Sequence, residues 1–202
     1  MGTVVDLIKV VQTITEQFRN ISIDSVRCSR VKSRLSTCDN CLQVCPTQGI
    51  TFIDSSLEIE ECIECGLCTS VCPTGAISIK SPSPQYLVIK ASELVEQYNA
   101  VYIYCEMHDP KKANIPGIKV PCLGIIHWES WLELLNLSEK VKIYLPELGC
   151  YKCQLKIGEK VRQDQLQKAE AIINKQMPFT STIFAQKSRN EEKLDKERRE
   201  FL

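Results

Sequence analysis

Cysteine is the residue type through which this sequence could do chemistry. Twelve occur in 202 residues, and eight lie between positions 28 and 72. Cys62, Cys65, Cys68, Cys72 and Pro73 space their thiols as C-x2-C-x2-C-x3-C-P. An iron–sulfur cubane needs one thiolate per iron. In this pattern a tight loop wraps three corners of one cube, and the fourth cysteine turns away to a neighbouring cluster. Zinc ribbons use C-x2-C pairs, not three close thiols followed by Cys-Pro.

The signature recurs upstream. Cys38, Cys41, Cys45, Pro46 and Thr47 align with Cys65, Cys68, Cys72, Pro73 and Thr74 at a constant offset of 27. An apolar stretch follows each copy, Ile50–Ile53 and Ile77–Ile79. Such self-similarity predicts two related units facing each other. The copies differ where they begin. The counterpart of Cys62 is Leu35, and the nearest upstream thiol is Cys28, which makes the motif C-x9-C-x2-C-x3-C-P. We expect Cys28 to supply the missing ligand from the far end of a seven-residue insertion. The alternative is a 3Fe–4S cluster or an open iron site.

On these motifs residues 21–80 resemble the bacterial two-cluster ferredoxins. The resemblance implies an α+β two-cluster ferredoxin-type domain with two 4Fe–4S clusters. It implies Cys28, Cys38, Cys41 and Cys72 for cluster I, and Cys62, Cys65, Cys68 and Cys45 for cluster II. Charge differs between the beginnings of the two copies. Arg27, Arg30, Lys32 and Arg34 surround the insertion, while Glu58, Glu60, Glu61 and Glu64 surround the start of the second copy. Positive charge near a cluster favours its reduced form. The Cys28-side cluster is therefore expected to be the more easily reduced, unless solvent screens these loop charges.

Four thiols remain: Cys105, Cys122, Cys150 and Cys153. Each follows an expected strand, and the carboxyl ends of parallel strands form a ligand-binding edge. Four thiolates there suit 2Fe–2S or zinc equally. Inert core cysteines, or a redox C-x2-C at Cys150 and Cys153, are the competing readings. Three segments in order resemble the iron–sulfur delta subunit of methyl-viologen-reducing hydrogenases. They are Tyr102–Cys105 with His108, Val120–Gly124 around Cys122, and Leu148–Cys153. The resemblance implies a 2Fe–2S site. The sequence departs from that family: His108 stands where a second cysteine is usual, and the last cysteine pair is tightened. His108 is then a ligand, a hydrogen-bond donor to the site, or a surface residue; for a lone histidine the last is the default. His127, beside Trp128, reads as a packing residue.

The elements around these thiols follow from periodicity. Residues 3–19 read as an amphipathic helix, with Val4, Leu7, Ile8, Val11, Ile14 and Phe18 on one face. The dicluster domain spans 21–80, and Ser81–Pro84 opens a linker over 81–85. Leu87–Lys90 reads as a strand and Ala91–Tyr98 as a helix. Val101–Tyr104, Ile118–Val120 and Val141–Tyr144 read as strands. Trp128–Leu137 and Leu155–Met177 read as helices. This alternation predicts a small α/β domain with a parallel sheet over 86–178. A charged tail, 179–202, completes the chain.

Composition narrows the function. Lys+Arg and Asp+Glu are equal at 25 each, so charge gives no argument for nucleic acid or an anionic surface. The N-terminal stretch has no basic n-region and Asp6 and Lys9 interrupt it, so a secretory signal is not expected. Position 6 also fits myristoylation poorly. No apolar run reaches the roughly 18–20 residues of a membrane span. A soluble chain in the reducing cytoplasm follows, where clustered thiols are metal ligands more often than disulfides. No dinucleotide fingerprint, P-loop or nucleophilic constellation stands out, so catalysis by the chain alone is not expected. The expected function is electron transfer as a subunit of a hetero-complex, to or from a partner oxidoreductase. The alternative is an interaction or redox-sensing module whose second domain holds structural zinc.

Overall fold

The computed structural model describes residues 19–53, 56–111, 114–137 and 139–193. The helix expected over 3–19, apart from its last residue, and residues 194–202 of the charged tail lie outside these residues. The chain divides into two compact units, one ending at Ser81 and the other beginning at Pro82.

In the first unit the elements are short because cysteine-bearing loops interrupt them. β1 (Ile21–Ile23) pairs antiparallel with β4 (Ile77–Ile79), placing Ile21 opposite Ile79 and Ile23 opposite Ile77. The unit's first and last strands thus close it. β2 (Ile50–Ile53) and β3 (Ser56–Ile59) form an antiparallel pair with Ile50 opposite Ile59 and Phe52 opposite Leu57. Both apolar stretches that follow the repeats are therefore strands. Alternation puts Ile50, Leu57, Ile77 and Ile79 into one small core with Ile21 and Cys68. Three short helices carry the thiol loops: α1 (Ser29–Lys32), α2 (Asn40–Gln43) and α3 (Leu67–Val71). Two-stranded ladders are marginal in water, so metal binding and folding are expected to be coupled here.

The second unit is a mixed α/β layer built on a four-stranded parallel sheet. α4 (Pro84–Gln97) leads into β5 (Val101–Cys105). β6 (Gly117–Val120), α5 (Trp128–Leu137), β7 (Val141–Tyr144), α6 (Ile157–Ile173) and β8 (Phe179–Thr180) follow. The strand order is β6-β5-β7-β8, and every pair is parallel. The core joins Leu87 and Ala91 of α4, Trp131 and Leu134 of α5 and Leu166 and Ala169 of α6 to Val101, Ile103, Ile118, Val120, Val141 and Ile143 of the sheet.

Two expectations are corrected. Leu87–Lys90 is not a strand; it lies inside α4. A four-residue apolar run does not by itself separate strand from helix. Here Ser83 accepts the Tyr86 N–H as N-cap at 3.1 Å, Pro84 occupies the first turn, and Leu87, Ala91 and Val95 recur every fourth residue on the buried face. The proline-rich break thus starts a helix. The second correction is β8, which falls where the charged tail was expected to begin. Its backbone continues the parallel ladder beyond β7, with Ile143 beside Phe179 and Tyr144 beside Thr180.

Candidate metal centres

All twelve cysteines are free of disulfides. They gather around three cavities. Cys28, Cys38, Cys41 and Cys72 line the first, with Phe52, Pro73 and Thr74. Cys45, Cys62, Cys65 and Cys68 line the second, with Pro46 and Thr47. Each combines three thiols from one stretch with the Cys-Pro cysteine of the other copy. Neither copy therefore lines a cavity with its own thiols alone.

Cys28 lines the first cavity, whereas Leu35 is 92% exposed. Cys28 is the N-cap residue of α1, so the insertion is one helical turn. Ser36 Oγ donates to Ser29 Oγ at 3.3 Å and folds that turn back toward Cys38. Arg30 stacks over the Phe52 ring, 4.4 Å from its centroid, and Phe52 walls the first cavity. Arg27 pairs with Asp24 at 3.2 Å in an exposed contact of little energetic weight. On the other side Glu61 and Glu64 flank Cys62 with positive φ, 45° and 55°, bending the loop around that thiol. Gly75 (φ 62°) and its repeat counterpart Gln48 (φ 56°) make the same left-handed turn after the two Cys-Pro-Thr sequences.

Polar hydrogens are aimed at the sulfurs. Glu64 N–H donates to Cys62 Sγ at 3.4 Å and Ala76 N–H to Cys72 Sγ at 3.2 Å. Thr47 Oγ1 lies 3.4 Å from Cys45 Sγ, and Thr74 Oγ1 lies 3.7 Å from Cys72 Sγ. Hydrogen bonds of this kind stabilise a thiolate and tune the metal it holds. Burial opposes ionisation of the free thiols. It pushes Cys41 up to about 11, with neighbouring Cys72 and Cys38 adding to the rise. Burial likewise raises Cys65 and Cys68. At Cys72 burial also pushes up, but backbone donation near Ile77, Thr74 and Ala76 and the Thr74 hydroxyl outweigh it, and the net shift is downward.

The third cavity belongs to the second unit. Cys105 ends β5, Cys122 follows β6 after Pro121, and Cys150 and Cys153 follow β7 around a short 3-10 turn. Because these strands are parallel, their carboxyl ends share one edge. All four thiols line one cavity there with His108, Leu123, Leu155, Gly158 and Arg162. The N–H two residues on donates to Cys122 (Gly124, 3.4 Å) and to Cys153 (Leu155, 3.3 Å), as Glu64 does to Cys62. His108 is half-buried, and its Nδ1 lies 3.0 Å from Cys105 Sγ. Gly149 lies beside this ring; a Cβ there would meet Leu145 at 2.9 Å and the Pro146 carbonyl oxygen at 3.1 Å. His127 does not line this cavity; its ring packs on Trp128 at 5.7 Å, and its Nδ1 faces the Glu129 N–H at 3.5 Å. Burial pushes Cys122 up to about 12 and raises Cys105 and Cys150 as well.

Residues 58–78 match the 4Fe-4S binding domain. That stretch contains Cys62, Cys65, Cys68 and Cys72. The match supports an iron–sulfur electron-transfer role and at least one 4Fe–4S cluster. No curated protein and no solved structure matches the chain. No helix among the described residues is long and apolar enough to cross a membrane.

The donor sets can be tested against the groups they are asked to hold. Among the described residues no three His, Cys, Asp or Glu side chains converge as a single ion requires. The thiols instead line three small cavities, four to each. Soft sulfur donors spread around a void suit a centre of several iron atoms. Sequence reasoning missed Phe52, the paired threonines and Arg162. The threonines were legible as part of the repeat; Arg162 carried no local signal.

Proposed function

We propose that this chain is an electron-transfer subunit with two 4Fe–4S clusters in its first unit and a third iron–sulfur centre in its second. Cluster I takes Cys28, Cys38, Cys41 and Cys72. Cluster II takes Cys62, Cys65, Cys68 and Cys45. The observation that carries this reading is the exchange of Cys45 and Cys72 between the two cavities. A zinc ribbon has no need of such an exchange, and a linked pair of clusters does.

The third centre takes Cys105, Cys122, Cys150 and Cys153, in keeping with the likeness to the hydrogenase delta subunit. The recurring N–H donation to cysteine two residues back supports it, as does the shared strand edge. His108 acts there as hydrogen-bond donor to Cys105. A 3.0 Å contact suits a hydrogen bond, and with four thiols present His108 is not needed as a ligand. The raised Cys150 pKa argues against a redox-active dithiol, whose attacking thiol needs a lowered one.

Clusters bound in these cavities supply one-electron transfer. The chain holds the thiolates, limits water and aims hydrogen-bond donors at the sulfurs. A reducing compartment such as the cytoplasm keeps the thiols available. A second thiol-bearing unit favours a partner oxidoreductase and a hetero-complex over a freely diffusing carrier.

Anaerobic purification with iron, sulfide and zinc quantification tests the proposal. Roughly ten irons per chain without zinc is the expected result, eight for two cubanes and two for the third centre. Four irons, or zinc in place of iron, overturns it.

A further inference from the structure

Arg162 lies on α6 and is only 6% exposed. Arginine does not shed its proton in a protein, so this mostly buried side chain keeps its charge, between the thiol cavity and an open groove lined by Leu145, Phe179 and Thr180. A buried cation is costly unless an anion compensates it. Among the described residues no carboxylate forms an ion pair with Arg162. Its Nε has no hydrogen-bond partner. The guanidinium carbon sits 4.9 Å from the centroid of the Phe179 ring. That contact orients the side chain, but a ring face is not a counter-ion. The same side chain lines the cavity of Cys105, Cys122, Cys150 and Cys153.

We propose that Arg162 is the buried counter-cation of the four-thiol centre, balancing the negative charge that its thiolates bring and raising its reduction potential. The inference rests on reading this cavity as a metal–thiolate centre. Four thiolates around an iron–sulfur core leave a net negative charge, and an added electron increases it. A fixed cation at the cavity wall stabilises every such state, the reduced one most. This accounts for both oddities of Arg162. Its position on α6 is buried beside Val161, Leu166 and Ala169, where an apolar residue is the norm, and its partner is supplied only when the thiols hold metal.

The test uses the full chain, purified anaerobically, as wild type, R162K, R162M and R162Q. Dithionite supplies the electrons, and EPR-monitored titration reads each centre separately. In R162M and R162Q the second-unit centre should shift its oxidised-to-reduced ratio at fixed potential at least tenfold toward oxidised, a fall of about 59 mV for one electron. R162K should retain most of the wild-type value, and both cubane potentials should stay put. Equal potentials in the neutral variants and the wild type overturn the inference. Loss of the centre in both neutral variants with retention in R162K supports it. Loss in all three overturns it, because the side chain is then needed for its packing and not its charge. If the wild-type site carries no iron, the iron–sulfur reading fails and zinc(II) becomes the probe. Zinc transfer to a chelator should then be at least tenfold easier from the neutral variants than from R162K, and equal transfer overturns the counter-cation.

Discussion

His108 Nδ1 stands 3.0 Å from Cys105 Sγ, and both residues line the third thiol cavity. With its proton on Nδ1 the ring donates to the sulfur, and a donor this close stabilises a thiolate and the electron-rich state of a metal bound to it. His108→Phe should therefore lower the potential of the second-unit centre while iron content stays unchanged. His108→Gln, which keeps a donor, should restore part of the shift. A fall in iron content together with altered EPR g-values in His108→Phe would instead mark the histidine as a ligand.

Cys28→Ser should cost the first cavity one thiolate. The expected outcome is a 3Fe–4S signal or loss of one cluster, with the other unchanged. Leu35→Ala should leave both clusters intact and change stability by less than about 0.5 kcal/mol, because Leu35 is exposed. Equal iron and identical spectra in Cys28→Ser and the wild type would remove Cys28 from the ligand set.

Thr47→Val and Thr74→Val each remove one hydroxyl facing a crossover cysteine. Each should lower the potential of one cluster only: the one sharing Cys45 for Thr47, and the one sharing Cys72 for Thr74. The Thr47 effect should be the larger, since its contact is shorter. Parallel shifts of both clusters in either variant would contradict the separate cavities.

The metal-free chain should lose stability in alkali. Burial raises Cys41 to about 11 and Cys122 to about 12 from 9.0. The fold thus favours the neutral thiols. Their contribution is fully present below the unfolded pKa and is lost as pH rises through the folded values. The apo melting temperature should fall between pH 9 and pH 12, and metal uptake should release protons. A flat apo profile across that window would show that these thiols are not buried without metal.

Trp131 is fully buried, yet its Nε1 has no partner. Trp131→Ala should destabilise the second unit by about 3–5 kcal/mol through the cavity it leaves. Trp131→Phe should cost clearly less, since it leaves a smaller void and removes an unsatisfied donor. Denaturant melts of the loaded chain measure both; equal losses would mean that the indole nitrogen is satisfied in solution.

Much of the site was legible because cysteine spacing is a property of the chain itself. Cys62, Cys65 and Cys68 must stay close whatever the fold, and the offset of 27 announces a second loop. The strands and helices of the second unit were legible where the period was long enough. Leu87–Lys90 failed because four apolar residues carry no decisive period, and the cap at Ser83 settled the matter. β8 was missed because a two-residue strand has no period at all; only the edge of β7 defines it.

What the sequence alone determined is therefore local: two thiol loops with their Cys-Pro ends, four further thiols after strands, and a parallel α/β second half. Tertiary structure decided the partners. It brought Cys72 to Cys28, Cys38 and Cys41, took Cys45 to the other loop, and left Leu35 in solvent. It also set His108 against Cys105 and walled the third cavity with Arg162. The reason is physical. Spacing fixes which donors are near along the chain, but sulfur and charge act through space, and only packing says which distant residues meet there.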